Sequence, residues 1–150
     1  MSMTMSRPVT DVLNKQVANW SVLYMKLHHY HWFVKGPNFF TLHEKFEELY
    51  IEAAKNVDEL AERLLTVGGK PVSTLKDCLE QASIKEATGG ESADQMVEAV
   101  VSDFTLLIKE LQEGITAAEA GDDEATGDMF LGIMDSLQKH VWMLQAHLGK

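Results

Sequence analysis

The chain has 150 residues, of which 45% are hydrophobic, with 10 glycines and 3 prolines, a composition typical of an ordered domain with its own core. Its 23 acidic side chains outnumber 13 lysines and arginines, and the net charge of -10 disfavours nucleic acid and anionic membranes while attracting cations. There is no bilayer-length apolar run and no signal peptide, and the single cysteine, Cys78, suits a reducing compartment, so we expect a cytoplasmic protein with no membrane partner.

The first predicted helix covers residues 9–34, where apolar side chains recur every three or four positions. This stripe consists of Leu13, Val17, Trp20, Tyr24, Leu27 and Val34. Gly36 and Pro37 break the helix, because proline disfavours helical backbone in the residue before it. His31 falls on the stripe, either as a hydrogen-bonded core residue or as a metal ligand, and His43 follows just after the break. The turn between the helices could therefore bring two imidazoles together.

The second predicted helix has a core stripe and a separate polar face, both built on steps of three and four residues. The core stripe consists of Leu42, Phe46, Leu49, Ala53, Val57, Leu60 and Leu64. The polar face consists of His43, Glu47, Tyr50, Ala54, Asp58, Glu62 and Leu65. One imidazole and three carboxylates on one face suit iron, manganese or zinc. The alternative is a solvated surface on which Asp58 and Glu62 pair with Lys55 and Arg63.

The rest of the chain predicts one short helix and two further long ones. A glycine pair at 68–69 ends the second helix, and the short helix begins after Thr74. Ser92 and Gln95 have the spacing of a capping box and open the third long helix. Its stripe consists of Met96, Val100, Phe104, Leu107, Leu111 and Ile115. The last helix follows residues 121–123, and its stripe consists of Phe130, Ile133, Met134, Leu137, Val141, Leu144 and Leu148.

These elements predict an all-α fold. No segment alternates convincingly between apolar and polar residues with period two, so strands are not expected. Four long amphipathic helices are best accommodated in a four-helix bundle, with the short extra helix between the second and third long helices. Because there is no internal repeat and no second pattern, we expect a single domain over residues 1–150.

The spacing along the second helix limits how its polar face can bind a metal. His43 and Asp58 are 15 residues apart, about 22 Å along a helix, whereas metal ligands lie about 2.0–2.2 Å from the ion. One chain therefore cannot place both on one ion. Bundles that bind two irons internally use Glu-x-x-His motifs, and no histidine here has a glutamate three residues before it. Two copies packed antiparallel about an axis near Ile51 would bring His43 of one chain to Asp58 and Glu62 of the other.

Three segments resemble the Dps family (DNA-binding proteins from starved cells), a branch of the ferritin-like superfamily. They are HHYHWFVKGPNFFTLHEKFEELY, NVDELAERLLTVGGKPVST and QKHVWMLQAHLG, and the resemblance covers essentially the whole chain. It implies a ferritin-like four-helix bundle whose ferroxidase centre lies at a two-fold interface between subunits. By motif match, His31 and His43 would supply nitrogen ligands from one chain, and Asp58 and Glu62 would supply oxygen ligands from its partner.

The resemblance also implies an assembly and a reaction. The expected protein is a homododecamer built on two-fold dimers, which oxidises Fe(II), preferably with hydrogen peroxide, and stores ferric iron in its hollow interior. Glu47 would help to hold a second iron, and Trp32 would lie near the centre as a packing residue or as an oxidisable neighbour. Acidic pores would admit iron, and the acids that match them are Asp122, Asp123, Glu124 and Asp128. The alternative for the first three of these acids is stabilisation of the helix dipole.

Two other functions compete with iron storage. Some members of the family bind DNA through basic tails, but the first ten residues, MSMTMSRPVT, contain only one basic side chain, so direct DNA binding is not expected. A structural protein that coats DNA is one alternative. A bundle in which an intersubunit metal such as zinc only joins the dimer is the other.

Overall fold

The computed structural model of the chain describes residues 7–150, which form five α-helices and no strand. The helices are α1 (Arg7–Phe33), α2 (Phe39–Thr66), α3 (Leu75–Gln81), α4 (Ala93–Ala120) and α5 (Glu124–His147). The predicted all-α bundle, with its short extra helix α3, is confirmed. Residues 1–6, which make up most of the segment that was expected to lack a basic DNA-binding tail, lie outside the described part. None of the described helices is long and apolar enough to cross a membrane.

The four long helices form two hairpins. Residues 34–38 connect α1 to α2, residues 121–123 connect α4 to α5, and the long connection at 67–92 contains α3. The most extensive packing is within the hairpins, and α1 also packs against α3 and α4. One long crossover between two short-looped hairpins is a connectivity found in ferritin-like bundles.

The apolar faces of the helices meet in one hydrophobic core. Its largest fully buried side chains are Trp20, Tyr30, Phe46, Phe104 and Phe130. The stripe predicted for α1 was wrong at Tyr24, whose side chain is 39% exposed. The buried positions step instead through Leu23 to Leu27 and Tyr30, which leaves Tyr24 at the edge of the core, beside α2.

Local backbone chemistry explains where the helices begin and turn. Gly36 has a φ of 110°, in the left-handed region that favours glycine, and its carbonyl accepts a hydrogen bond from Phe39 N at 3.1 Å. The predicted capping box is confirmed at the start of α4, where the side chains of Ser92 and Gln95 each accept a bond from the other's backbone. Thr74 caps α3 through a single hydrogen bond, which its side chain accepts from Asp77 N.

A second glycine permits close packing where α1, α4 and α5 meet. A Cβ atom on Gly114 would lie 2.7 Å from the Phe130 ring and 2.8 Å from a methyl group of Val12. Any larger residue at this buried position would push the helices apart or displace Phe130. The short distance between the two hairpins therefore depends on the absence of a side chain here.

The long connection is tied to α1 by buried polar groups. Lys26 Nζ donates to the backbone oxygen of Lys85 and forms an ion pair with Asp103, each at 2.7 Å. Four residues further along, the Tyr30 hydroxyl donates to Glu91 at 3.0 Å. Burial raises the pKa of the Asp103 carboxyl group, although its bond with Lys26 opposes that effect. These contacts hold the C-terminal half of α1, which ends at the candidate site.

Candidate metal centre

The turn between α1 and α2 brings His31 and His43 into direct contact. Their rings stack with centroids 3.7 Å apart and an interplanar angle of 13°. Each histidine also bonds to the other's backbone: His31 Nδ1 lies 2.7 Å from the His43 carbonyl oxygen, and His43 Nδ1 lies 2.7 Å from the His31 carbonyl oxygen. The pair thus joins the last turn of α1 to the start of α2.

These reciprocal bonds determine which ring nitrogens are free. A carbonyl oxygen only accepts hydrogen bonds, so Nδ1 of each ring must carry the hydrogen atom. In the neutral rings, the lone pairs therefore lie on Nε2 of His31 and Nε2 of His43. A hydrogen-bonded Nδ1–H that leaves Nε2 available is the usual arrangement of a histidine that binds a metal.

Glu47 is the carboxylate that faces this pair within the same chain. Its Oε1 lies 3.9 Å from His31 Nε2, which is too far for a hydrogen bond. A cation bound to both atoms at about 2.0–2.2 Å from each would fit between them after a small movement of the exposed Glu47 side chain. The Tyr50 hydroxyl donates to the same Oε1 atom at 3.4 Å. An imidazole nitrogen and a carboxylate oxygen are a donor set that suits Fe(II).

Asp58 and Glu62 lie farther along the same face of α2 and do not reach the histidines. Both are exposed, and within residues 7–150 no group of three or more His, Cys, Asp or Glu side chains could hold a metal ion. The alternative of surface pairing is also not seen in the described part of the chain. Lys55 forms its ion pair with Glu59, at 3.9 Å, and Arg63 forms its own with a residue of the α4–α5 loop.

The four acids matched to a pore have different surroundings. Asp123 is buried and caps α5: its Oδ1 accepts bonds from Thr126 N at 3.2 Å and from the Arg63 guanidinium at 3.0 Å. The other three, Asp122, Glu124 and Asp128, are exposed, and all four acids border a cavity of about 320 Å³. The structure thus separates one carboxylate with a structural role from three that face open space.

A polar cluster around a single histidine, His140, joins α2 to α5 and was not predicted from the sequence. Glu52 accepts bonds from the Ser136 hydroxyl at 3.0 Å and from His140 Nε2 at 3.3 Å. The His140 ring is buried and its Nδ1 atom has no hydrogen-bond partner. Burial raises the pKa of Glu52, but the bonds from His140 and Ser136 outweigh burial and leave that pKa below its usual value. Because the partners are more than 80 residues apart, no sequence spacing could have indicated them.

Comparison with known proteins places these features in a family. Residues 10–150 match the family described as "Ferritin-like domain". The chain is 57% identical over 146 residues to DNA protection during starvation protein 2 of Bacillus anthracis, and that alignment covers 97% of this chain and 100% of the relative. A crystal structure of a Dps protein from Bacillus brevis is 61% identical, with a TM-score of 0.92 over 93% of this chain and 94% of that one.

A further solved relative concerns metals. Dps from Listeria innocua is 46% identical, with a TM-score of 0.91 over 95% of this chain and 97% of that chain, in a crystal soaked with zinc. Another crystal of the same protein was soaked with cobalt. Divalent transition metals have thus been applied to crystals of a protein with this fold.

Proposed function

The chain belongs to the Dps family of ferritin-like proteins, and on that basis we propose that it is a ferroxidase. It oxidises Fe(II), preferably with hydrogen peroxide, and stores the ferric product inside a hollow homododecamer. Iron is therefore both the substrate and the cargo of this protein. Removing ferrous iron together with peroxide prevents the formation of hydroxyl radicals, which protects DNA without requiring the protein to bind it.

The observation that carries this proposal is the hydrogen bonding of the histidine pair. Both Nδ1 atoms are used by backbone carbonyls, so both Nε2 lone pairs are available, and the Glu47 carboxylate lies 3.9 Å from one of them. A purely structural histidine pair gains nothing from two unused ring nitrogens, one of which lies beside a carboxylate. Nitrogen ligands retain Fe(II), whereas carboxylate oxygens favour the harder Fe(III) product.

The centre is completed by a second copy of the chain. Asp58 and Glu62 are exposed and have no ion pair among residues 7–150, although they share a helix face with His43. Antiparallel packing of two α2 helices about a two-fold axis near Ile51 supplies these carboxylates to the partner's histidines and produces two equivalent centres. Ile51 is 59% exposed in the single chain, which suits an apolar contact at the axis.

Iron reaches the interior through acidic pores near the start of α5. The exposed side chains Asp122, Glu124 and Asp128 attract the cation, while Asp123 holds the loop through Arg63. The net charge of -10 further favours cations over DNA, so direct binding to DNA is not part of this proposal. The cytoplasm, where Fe(II) and peroxide both arise, is the proposed location.

The test is anaerobic loading with Fe(II) followed by a limited pulse of hydrogen peroxide. We expect rapid ferric absorbance, little hydroxyl radical, and one peroxide consumed for every two ferrous ions, because each iron gives one electron and peroxide takes two. In His31→Gly/His43→Gly the initial rate of iron oxidation should fall at least about 100-fold. Loss of a residue that only orients a metal ligand already costs about 10–100-fold, and this variant removes two ligands themselves.

A matched variant separates ligand loss from helix damage. His29→Gly removes an imidazole from the same end of α1 and introduces the same weak helix former, glycine. The ring of His29 packs on Tyr30 and Phe33 and is not one of the proposed ligands. This variant should oxidise iron at the wild-type rate. If the double variant did so too, the histidine pair would be structural. Tight zinc binding without any oxidation of iron would instead support a metal that only joins the dimer.

A further inference from the structure

The two histidines of the candidate centre belong to a stack of three rings at the start of α2. The Phe39 ring lies against His43 with centroids 4.9 Å apart and an interplanar angle of 22°. The His31 ring lies against His43 at 3.7 Å and 13°. A ring stacked as closely as His31 leaves no space for another on the same face, so Phe39 covers the opposite face of His43. His43 is thus held between two nearly parallel rings.

The backbone of the α1–α2 turn places Phe39 in this stack. Phe39 is the first residue of α2, and its N–H donates to the Gly36 carbonyl oxygen at 3.1 Å. His43 follows four residues later, one helical turn along the same face. Helical side chains lean toward the N-terminus of their helix, which brings the His43 ring back over Phe39. The Phe39 side chain is half-buried and packs against the hydrophobic core, so its own position is supported.

The stack determines what the hydrogen bond of His43 leaves undetermined. The bond from its Nδ1 to the His31 carbonyl oxygen fixes one corner of the ring. The ring plane can still tilt about that corner, and Nε2 moves with the plane. A face contact on each side blocks the tilt in both directions. The lone pair on Nε2 of His43 therefore keeps one direction before any cation arrives.

We propose that Phe39 is a positioning residue of the iron centre, which holds the His43 ring in the orientation that binds Fe(II). The inference rests on the ferroxidase function proposed above. Phe39 offers no atom to the metal and acts only through His43. A ring that samples several orientations binds a cation in proportion to the fraction of rings in the competent one, so removal of Phe39 should weaken binding by that fraction.

The adjacent aromatic residue lacks the contact on which this role depends. In the described part of the chain, the rings that contact His43 are those of His31 and Phe39. Phe40 is 84% exposed and meets the Phe39 ring edge-on at 5.3 Å. Phe40 therefore provides a matched control with the same side chain at the same end of α2.

The role predicts a loss of affinity without a loss of chemistry. Once iron is bound, the His43 ring stands in the ligand orientation in every variant, so the oxidation of Fe(II) by peroxide proceeds at the same rate. A contact between two aromatic rings corresponds to an affinity ratio of about 2- to 12-fold. We expect Phe39→Leu to raise the half-saturating Fe(II) concentration by this factor, while the maximal rate of ferric absorbance stays at the wild-type value.

Anaerobic titration with Co(II), followed through its visible absorption, tests the affinity without any oxidation. The wild type and the variants are compared as full-length assembled proteins. Phe39→Leu should need about 2- to 12-fold more Co(II) to reach half-saturation. Phe39→Tyr keeps the ring and should titrate like the wild type. Phe40→Leu removes an exposed ring from the next position and should also titrate like the wild type.

Peroxide-driven ferric absorbance on the same preparations separates the two proposals. A Phe39→Leu protein that binds Co(II) and Fe(II) at wild-type concentrations overturns the role of Phe39 and leaves the ferroxidase standing. So does a lower maximal rate at unchanged affinity, or a Phe39→Tyr protein that binds Co(II) as weakly as Phe39→Leu. Phe39→Met, which fills similar space with a flexible chain, replaces Phe39→Leu if leucine prevents folding. A wild type that forms no ferric iron with peroxide overturns the ferroxidase function, and the role of Phe39 with it.

Discussion

Two regions of this molecule use histidine in opposite ways. At the turn between α1 and α2, His31 and His43 bond through Nδ1 to each other's backbone and leave both Nε2 atoms free. In the interior between α2 and α5, His140 uses Nε2 to bond Glu52, and its remaining nitrogen is enclosed without a partner. Burial does not distinguish the two regions, because His31 and His140 are each 7% exposed.

The difference teaches that the surroundings of the unused ring nitrogen, rather than the burial of the whole residue, decide which histidine can bind a metal. A ring whose lone pair faces a carboxylate across a gap, as that of His31 faces Glu47, has the geometry to accept a cation. A ring whose Nε2–H is already donated to a carboxylate holds two helices together instead. The first arrangement is a candidate for chemistry, and the second contributes to stability.

The largest expected effect comes from mixing two inactive variants. His43→Gly and Asp58→Ala/Glu62→Ala should each lose peroxide-driven iron oxidation, because each variant breaks every centre. When the two are co-assembled at random, one centre in each mixed dimer receives intact histidines from one chain and intact carboxylates from the other. About one quarter of the wild-type rate should return. The measurement is the initial rate of ferric absorbance after a peroxide pulse.

The control for this mixing experiment lies on the same helix. Lys55→Ala removes a charge one turn before Asp58 and breaks only the exposed pair with Glu59, so stability should change by less than about 0.5 kcal/mol and oxidation should not change. If all ligands belonged to one chain, the mixture would remain inactive. That outcome would contradict the two-fold centre while leaving the rest of the proposal intact.

A smaller effect is expected at the interior histidine. Glu52→Leu leaves His140 Nε2–H buried without an acceptor, which should lower the free energy of unfolding by about 1–3 kcal/mol. Replacing both residues by leucine should recover much of that loss, because the buried imidazole is then gone and only the half-buried Ser136 hydroxyl loses its acceptor. Chemical denaturation measures both values, and iron oxidation should remain normal. Loss of oxidation in a stably folded Glu52→Leu would show that the interior cluster takes part in the chemistry.

The smallest effect concerns pH. Because the pKa of Glu52 is lower in the folded chain than its usual value of 4.5, its charged form stabilises the fold above that value. This contribution is lost as the pH falls through the folded pKa. The stability difference between the wild type and Glu52→Gln should therefore be constant near neutral pH and shrink below about pH 4.5. A stability difference that grew as the pH fell would mean that folding raises the pKa of Glu52 instead of lowering it.

Much of the fold could be predicted because it depends on local patterns. The core positions of α2 follow from steps of three and four residues, and the start of α4 follows from a capping box four residues long. The failure at Tyr24 shows the limit of such patterns. On a helix, positions three and four residues beyond Trp20 both border its stripe, and only the packing of the folded bundle decides that Leu23 is buried and Tyr24 is not.

The features of the candidate centre likewise fall into those that local sequence patterns predict and those that depend on tertiary packing. The sequence by itself determined that two histidines flank a helix break and that 15 residues separate His43 from Asp58, since helix rise and ligand distance are fixed quantities. Only the tertiary structure decided that the rings stack, that Nε2 is the free nitrogen and that Tyr50 contacts both His31 and Glu47. Periodicity records which face of a helix a residue occupies. The direction of a lone pair depends on a carbonyl that belongs to another helix, and folding alone brings the two together.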